Sequence, residues 1–243
     1  LILVCLERMY NMEIIICNVL IALIGVGITP YMKNLIEAFS NEEKITWKTI
    51  FRKNKLDIKL AILTPLIMIS LFYKFGISFE FLIYSFVSVL LIMDAFVDMK
   101  AQIIPNGLNF VGFIAGIILM YVALINDTML GVDMLLGMFA GAGIFLLIAL
   151  FALVAYRKEG MGLGDVKLMG MLGLFFGLYN TIQIFIISFA IGAVISIILL
   201  ATKVKKSTDY MAFGPFIVIA AIFTMFVPYT IVYPWYLGLM MRI

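Results

Sequence analysis

The sequence predicts an all-α polytopic membrane protein with about eight transmembrane helices. Of its 243 residues, 65% are hydrophobic and only 13% are charged, whereas soluble globular domains are about 45–50% apolar and about 25% charged. The mean hydropathy is +1.19. The apolar residues collect in long stretches, and about 20 of them suffice for one helical crossing. We therefore expect a single membrane domain over residues 1–243 and exclude a soluble cytosolic or secreted protein.

Eight apolar stretches define the expected helices. They cover residues 14–32, 61–75, 79–97, 108–125, 130–155, 166–178, 181–201 and 212–236. The segment at 33–59 is polar and basic, and we expect it to be the largest soluble loop. The sixth stretch is short, and the spacing of Gly170, Gly173 and Gly177 predicts either close helix contact or a partial crossing. The opening residues lack the basic region and cleavage site of a secretory signal peptide.

The basic residues predict the orientation. If the loop at 33–59 is cytoplasmic, then the alternate loops on the same side hold most of the 17 basic residues. Positive charge concentrates in cytoplasmic loops of membrane proteins, so the N-terminus is expected outside. The net charge of +3 is thereby explained by topology, and no nucleic-acid partner is expected.

Two counts limit the chemistry. The chain has no histidine, which excludes Ser-His-Asp and Cys-His nucleophile pairs and the usual zinc ligand sets. The two cysteines, Cys5 and Cys17, are too few for a disulfide framework or a four-thiolate metal site. We expect no metal site, and without histidine any acid–base chemistry would depend on carboxylates, lysine, tyrosine or cysteine.

Three of the 14 acidic residues stand out. Asp94 and Asp98 end the third apolar stretch, and Asp165 begins the sixth. The others, including Asp133, are expected to be solvated charges in loops or at helix ends. A charged group in a membrane segment is costly and indicates function. Because the third helix runs inward and the sixth outward, Asp98 and Asp165 are expected to meet at the cytoplasmic membrane boundary.

Two carboxyl groups held close together share one proton, so one can act as a base while the other acts as an acid. Such a pair can activate water for attack on a peptide carbonyl without a metal, serine or histidine. Gly162 and Gly164 would permit unusual backbone angles and the close passage of an extended substrate.

Other interpretations of these residues stay open. Asp165 could be an ordinary N-cap of a helix that begins at Val166, and Pro105 an ordinary loop signal. Asp94 lies one turn before Asp98 on the same helix face. Its role could be to support Asp98, to contact the substrate or to line a channel. A proton-coupled transporter could use all three aspartates as a relay, although a carrier site should lie nearer the bilayer midplane. A catalytically silent assembly factor is the third alternative.

Three sequence elements resemble those of type IV prepilin peptidases. Residues 98–106 (DMKAQIIPN) resemble the family's D-x6-P-N/D element, and residues 160–168 (GMGLGDVKL) resemble its G-M-G-x-G-D-x-K-L element. Residues 213–216 (FGPF) are similar to an element near the last helices. The resemblance implies an eight-helix GxGD intramembrane aspartyl protease. Such an enzyme removes the short basic leader from prepilins or pseudopilins at the cytoplasmic face of the prokaryotic inner membrane.

The resemblance implies Asp98 and Asp165 as the catalytic pair. The supporting positions are Gly162, Gly164, Lys167, Pro105 and Asn106, with Asp94 as a further candidate that has no family counterpart.

The resemblance implies no cofactor for proteolysis. Many bacterial members also carry paired CxxC motifs thought to bind zinc, and they methylate the new N-terminus with S-adenosylmethionine. The loop at 33–59 contains no cysteine, which argues against zinc, and S-adenosylmethionine is expected only if a methyltransferase activity is retained.

Overall fold

The computed structural model describes residues 2–53, 56–156, 162–202 and 211–232. All regular secondary structure in these ranges is helical, and six helices are long and apolar enough to cross a membrane. The predicted class, an all-α polytopic membrane protein, is therefore confirmed. The helices are α1 (Ile2–Ser40), α2 (Trp47–Ile50), α3 (Ile58–Phe75), α4 (Phe79–Ala101), α5 (Asn106–Asn126), α6 (Thr128–Tyr156), α7 (Leu163–Ala201) and α8 (Gly214–Phe226).

The chain divides into two compact units, Leu1–Met93 and Asp94–Ile243. In the first unit, α1 and α3 pack side by side and run in opposite directions. Asn18 hydrogen-bonds Tyr73 at one end of the pair, and Thr64 donates to the sulfur of Met32 nearer the other end. Between these contacts, a Cβ atom on Gly25 would lie 2.9 Å from Pro65, so the glycine allows the two helices to touch.

The polar segment is shorter than the sequence predicted. The structure continues α1 to Ser40 and forms a short helix, α2, within the expected loop at 33–59. The helix continues because its buried apolar face does: Met32 and Ile36 are buried, and residues four apart lie on the same helix face. The basic and acidic residues that suggested a loop lie on the rest of the helix surface, where Lys33 pairs with Glu37 across one turn.

In the second unit, α7 folds back on itself at Gly177, whose φ of 71° and ψ of −179° are not helical. A Cβ atom on Gly141 of α6 would touch both Met169 and Thr181. In a straight helix these two residues would be about 18 Å apart. Residues 163–176 (the first arm) and 178–201 (the second arm) therefore run in opposite directions along α6, as the two apolar stretches at 166–178 and 181–201 predicted.

Asp133 has a structural role that the sequence did not reveal. It was expected to be a solvated charge, but it lies within α6 and its Oδ1 accepts a hydrogen bond from the Leu178 N–H at 3.2 Å. The break at Gly177 leaves the first N–H groups of the second arm without helical partners, and Asp133 caps one of them. A Cβ atom on Gly177 would also collide with the Asp133 carboxylate.

The last predicted helix, at 212–236, is interrupted. The structure ends α8 at Phe226, because Pro228 cannot donate a backbone hydrogen bond and disfavours a helical residue before it. Side chains of the second arm satisfy the freed backbone: Gln183 donates to the Val227 carbonyl at 2.6 Å, and the Tyr229 N–H donates to Asn180. Residues 233–236 of this prediction lie outside the described residues.

Candidate active site

Asp98 and Asp165 line one cavity within the second unit. The cavity has a volume of about 270 Å³ and is walled by the end of α4, the loop that follows it and the start of α7. Both aspartates are almost fully buried, at 3% and 4% exposure. They are close enough for their charges to interact. The structure thus brings together the two carboxyl groups that the sequence singled out, from two different helices.

Asp98 is held by the first residue of α8. The backbone N–H of Gly214 donates to Asp98 Oδ2 at 2.8 Å. The first N–H groups of a helix lack internal partners and carry partial positive charge, so this end of α8 favours a negative carboxylate. A Cβ atom on Gly214 would lie only 2.6 Å from the same oxygen, and the contact therefore requires glycine.

Gly214 was not among the predicted site residues. The signal that could have found it was the FGPF element at 213–216, which the sequence analysis used only for the family resemblance. Pro215, the second residue of α8, has no N–H to donate, which leaves Gly214 as the donor at this position.

Asp165 lies in the first turn of α7. The helix begins at Leu163 with Gly162 as its N-cap, and the Asp165 N–H donates to the Gly162 carbonyl at 3.1 Å. The alternative in which Asp165 caps a helix starting at Val166 is therefore wrong. Within the part of the chain that the structure describes, Asp165 Oδ1 is buried and has no hydrogen-bond partner.

The two glycines before Asp165 act differently from the prediction. Gly162 has φ of −69° and ψ of 138°, an extended conformation open to any residue, so the expected unusual backbone angles are wrong for this position. Gly164 is needed for space, because a Cβ atom there would lie 2.9 Å from the Cβ of Ile104. The start of α7 thereby packs directly on the loop that follows α4.

The same loop carries the other predicted supporting residues. Pro105 is buried and precedes the first residue of α5, Asn106. The Lys167 ammonium donates to Asn106 Oδ1 at 2.8 Å. Asn106 and Lys167 both line the cavity, so this hydrogen bond joins the sequence elements at 98–106 and 160–168 at the cavity wall.

Asp94 lies one turn before Asp98 but is not part of the cavity wall. It is 1% exposed, and neither carboxyl oxygen has a hydrogen-bond partner among the described residues. It lies close enough to Asp98 for a charge on that carboxylate to disfavour a charge on Asp94. Asn109 of α5, which the sequence analysis did not single out, is also buried with its side-chain amide unpaired among the same residues.

The chemistry available at this cavity is acid–base catalysis by a carboxyl pair. Asp98 has a donor that stabilises its charged form, whereas Asp165 has a buried oxygen without one. Such different surroundings favour different protonation states in the two acids. In the described ranges, no group of three or more acidic, cysteine or histidine side chains is arranged to hold a metal ion.

Comparison with known proteins gives a consistent result. The model of the type IV leader peptidase family matches residues 84–197, a range that contains both Asp98 and Asp165. A protein of Legionella pneumophila named prepilin leader peptidase/N-methyltransferase is 31% identical over 221 residues, which cover 86% of this chain and 74% of that protein.

Proteins with the same name in Xanthomonas campestris and Pseudomonas aeruginosa are also similar. They are 28% identical over 166 residues and 30% identical over 134 residues, and the matches cover 55% and 44% of their respective lengths. No solved structure matches the chain. On the extent of the Legionella match, together with the family model, this chain belongs to the type IV leader peptidase family.

Proposed function

We propose that this chain is a membrane-embedded aspartic endopeptidase that removes the short basic leader from prepilins or pilin-like proteins. Family membership and the names of the relatives support leader cleavage. The observation that carries the mechanism is the shared cavity, in which Asp98 of α4 and Asp165 of α7 lie close enough to interact.

The surroundings of the two acids suggest their roles. Asp98 is the charged member, because the Gly214 N–H at the start of α8 stabilises its carboxylate. Asp165 is the protonated member, because a buried carboxyl oxygen without a donor disfavours charge. The two acids are therefore prepared for opposite proton transfers before substrate arrives.

In the proposed reaction, Asp98 removes a proton from a water molecule as its oxygen attacks the scissile carbonyl carbon. Asp165 gives its proton to the carbonyl oxygen, which forms a tetrahedral diol. When the carbon–nitrogen bond breaks, Asp98 returns a proton to the leaving amine and Asp165 regains one from the diol. The pair ends in its starting state, with water consumed and no metal or other cofactor taking part.

The expected substrate has its apolar helix in the bilayer and its basic leader in the cytoplasm. The positive-inside pattern of the loops supports a cytoplasmic cleavage site in the prokaryotic inner membrane. That orientation and a single functional domain stay predictions. The proposed partners are the prepilin or pseudopilin and the lipid bilayer.

The transporter alternative is not favoured, because the family to which the chain belongs is a peptidase family.

Methyl transfer is not part of the proposal. The relatives are named as N-methyltransferases as well as peptidases, but the elements that carry the resemblance are those of the peptidase.

The test is co-expression with a model prepilin, with the leader followed by mass spectrometry. Asp98→Asn and Asp165→Asn should each abolish cleavage while the protein still accumulates in the membrane. The matched control is Asp127→Asn at the N-cap of α6, where the side-chain oxygen accepts the Met129 and Leu130 N–H groups. Asparagine preserves that cap, so the control should cleave normally.

Full cleavage by either active-site variant would refute the assigned pair. The same spectrum reports whether the product carries an added methyl group, which decides whether a second activity exists.

A further inference from the structure

The segment between α1 and α3 lies against a membrane-spanning helix. It connects two helices that are each long and apolar enough to cross a membrane, Glu13–Ser40 and Ile58–Phe75. Asn34 donates its side-chain amide to the carbonyls of Ile50 and Arg52, both at 2.8 Å. Asn34 is six residues, or about 9 Å, before the end of α1. The segment therefore folds back along α1 toward the bilayer.

An aromatic cluster occupies this folded-back segment. Trp47 stacks on Phe51, with ring centroids 6.0 Å apart, and Phe51 forms a T-shaped pair with Tyr31 of α1, with ring centroids 5.5 Å apart. Trp47 and Phe51 are nevertheless 78% and 59% exposed. Exposed aromatic side chains beside a spanning helix are typical of the membrane–water interface, where an apolar ring enters the lipid.

Basic residues surround the aromatic cluster. Lys44, Lys48 and Lys53 are exposed, whereas Arg52 is paired with Glu43 at 3.0 Å. Lysines next to a membrane surface attract anionic headgroups. A basic leader peptide would be repelled by the same lysines, so the charge of this surface fits lipid and not the proposed substrate.

We propose that residues 44–53 form an interfacial anchor that binds anionic phospholipid headgroups. In this arrangement Trp47 and Phe51 enter the headgroup–acyl boundary, and the three lysines contact lipid phosphates. The hydrogen bonds from Asn34 hold the anchor against α1. The proposal is independent of the peptidase mechanism, because it concerns only the first unit.

Tryptophan fluorescence tests the anchor in the full chain. The chain has two tryptophans, so a Trp235→Phe variant leaves Trp47 as the only one. It is reconstituted into phosphatidylcholine vesicles with increasing fractions of phosphatidylglycerol. Brominated acyl chains should quench the fluorescence of Trp47. Iodide dissolved in the water should quench it less and less as the anionic fraction increases.

The charge variant in the same background is Lys44→Gln/Lys48→Gln/Lys53→Gln. At the same anionic fraction, its equilibrium ratio of protected to exposed Trp47 should be lower by roughly fivefold for each lysine that contributes fully. Lys100→Gln, a charge removed from the exposed end of α4, is the matched control and should behave as the parent. Iodide quenching without bromolipid quenching would overturn the proposal. Equal protection of parent and triple variant at every anionic fraction would overturn its headgroup specificity.

Discussion

The hydrogen bond between Gly214 and Asp98 predicts that Gly214→Ala impairs catalysis. A Cβ atom at this position would lie 2.6 Å from Asp98 Oδ2, whereas ordinary contacts begin at 3.4 Å. The two groups must therefore separate by about 0.8 Å, which lengthens the 2.8 Å hydrogen bond beyond the limit for such bonds. Asp98 is buried, so bulk solvent does not replace the lost donor.

The size of the effect follows from the lost hydrogen bond. A hydrogen bond to a charged group contributes about 1.5–3 kcal/mol. If the whole contribution acts in the transition state, kcat/KM falls by roughly ten- to 150-fold, since about 1.36 kcal/mol corresponds to a factor of ten. The misplacement of a catalytic group by about 1 Å independently leads to a loss of about a hundredfold.

The assay is single-substrate cleavage by purified enzyme in detergent or vesicles, with membrane yield and thermal unfolding measured in parallel. The control is Gly143→Ala in α6, where an added Cβ would meet nothing within 4 Å. That variant should keep wild-type activity, and its helix should be unchanged in stability or stabilised by up to about 1 kcal/mol. Wild-type kcat/KM in a well-folded Gly214→Ala enzyme would refute the positioning of Asp98 by α8.

Three further predictions concern the same cavity. The cleavage rate should fall at both low and high pH, because one of Asp98 and Asp165 must be charged and the other protonated; a flat profile would contradict an acid–base pair. Asp94→Asn should keep at least partial activity because Asp94 lies outside the cavity wall, and an inactive Asp94→Asn beside an active Asp98→Asn would show that the first motif is misaligned. Lys167→Ala and Asn106→Ala should each reduce kcat/KM by about fivefold or less, as expected for an exposed polar pair. The double variant should lose little more than either single variant, whereas fully additive losses would mean that the pair acts independently.

The membrane fold could be predicted because hydrophobic length alone identifies most of the helices. Even the division of α7 was predicted, since polar residues separate its two apolar stretches. The continuation of α1 past Met32 was missed because the charged residues Lys33 and Glu37 make this segment look polar when averaged over a window, although Met32 and Ile36 are buried. The end of α8 before Pro228 was missed because the residues around the proline are apolar, so the hydropathy pattern shows no break there.

The two central site residues could be found because carboxyl groups are rare and costly in apolar segments. The contacts that hold them could not be found in this way. Gly214 and Asp98 are 116 positions apart, and Lys167 and Asn106 are 61 apart. Local sequence patterns contain no information on which distant backbone N–H meets a given side chain. The cap from Asp133 to Leu178 was missed for the same reason.

The fold-back at Gly177 also determines where the second arm of α7 ends. Continued straight, the 39 residues of α7 would extend about 58 Å, nearly twice the hydrocarbon thickness of about 30 Å. The end of such a straight helix would then emerge on the opposite side of the hydrocarbon layer from its beginning. Because the second arm returns along α6, Thr202 instead lies at the same end of α6 as Leu163. The backbone conformation of one residue thus decides at which end of α6 the second arm finishes.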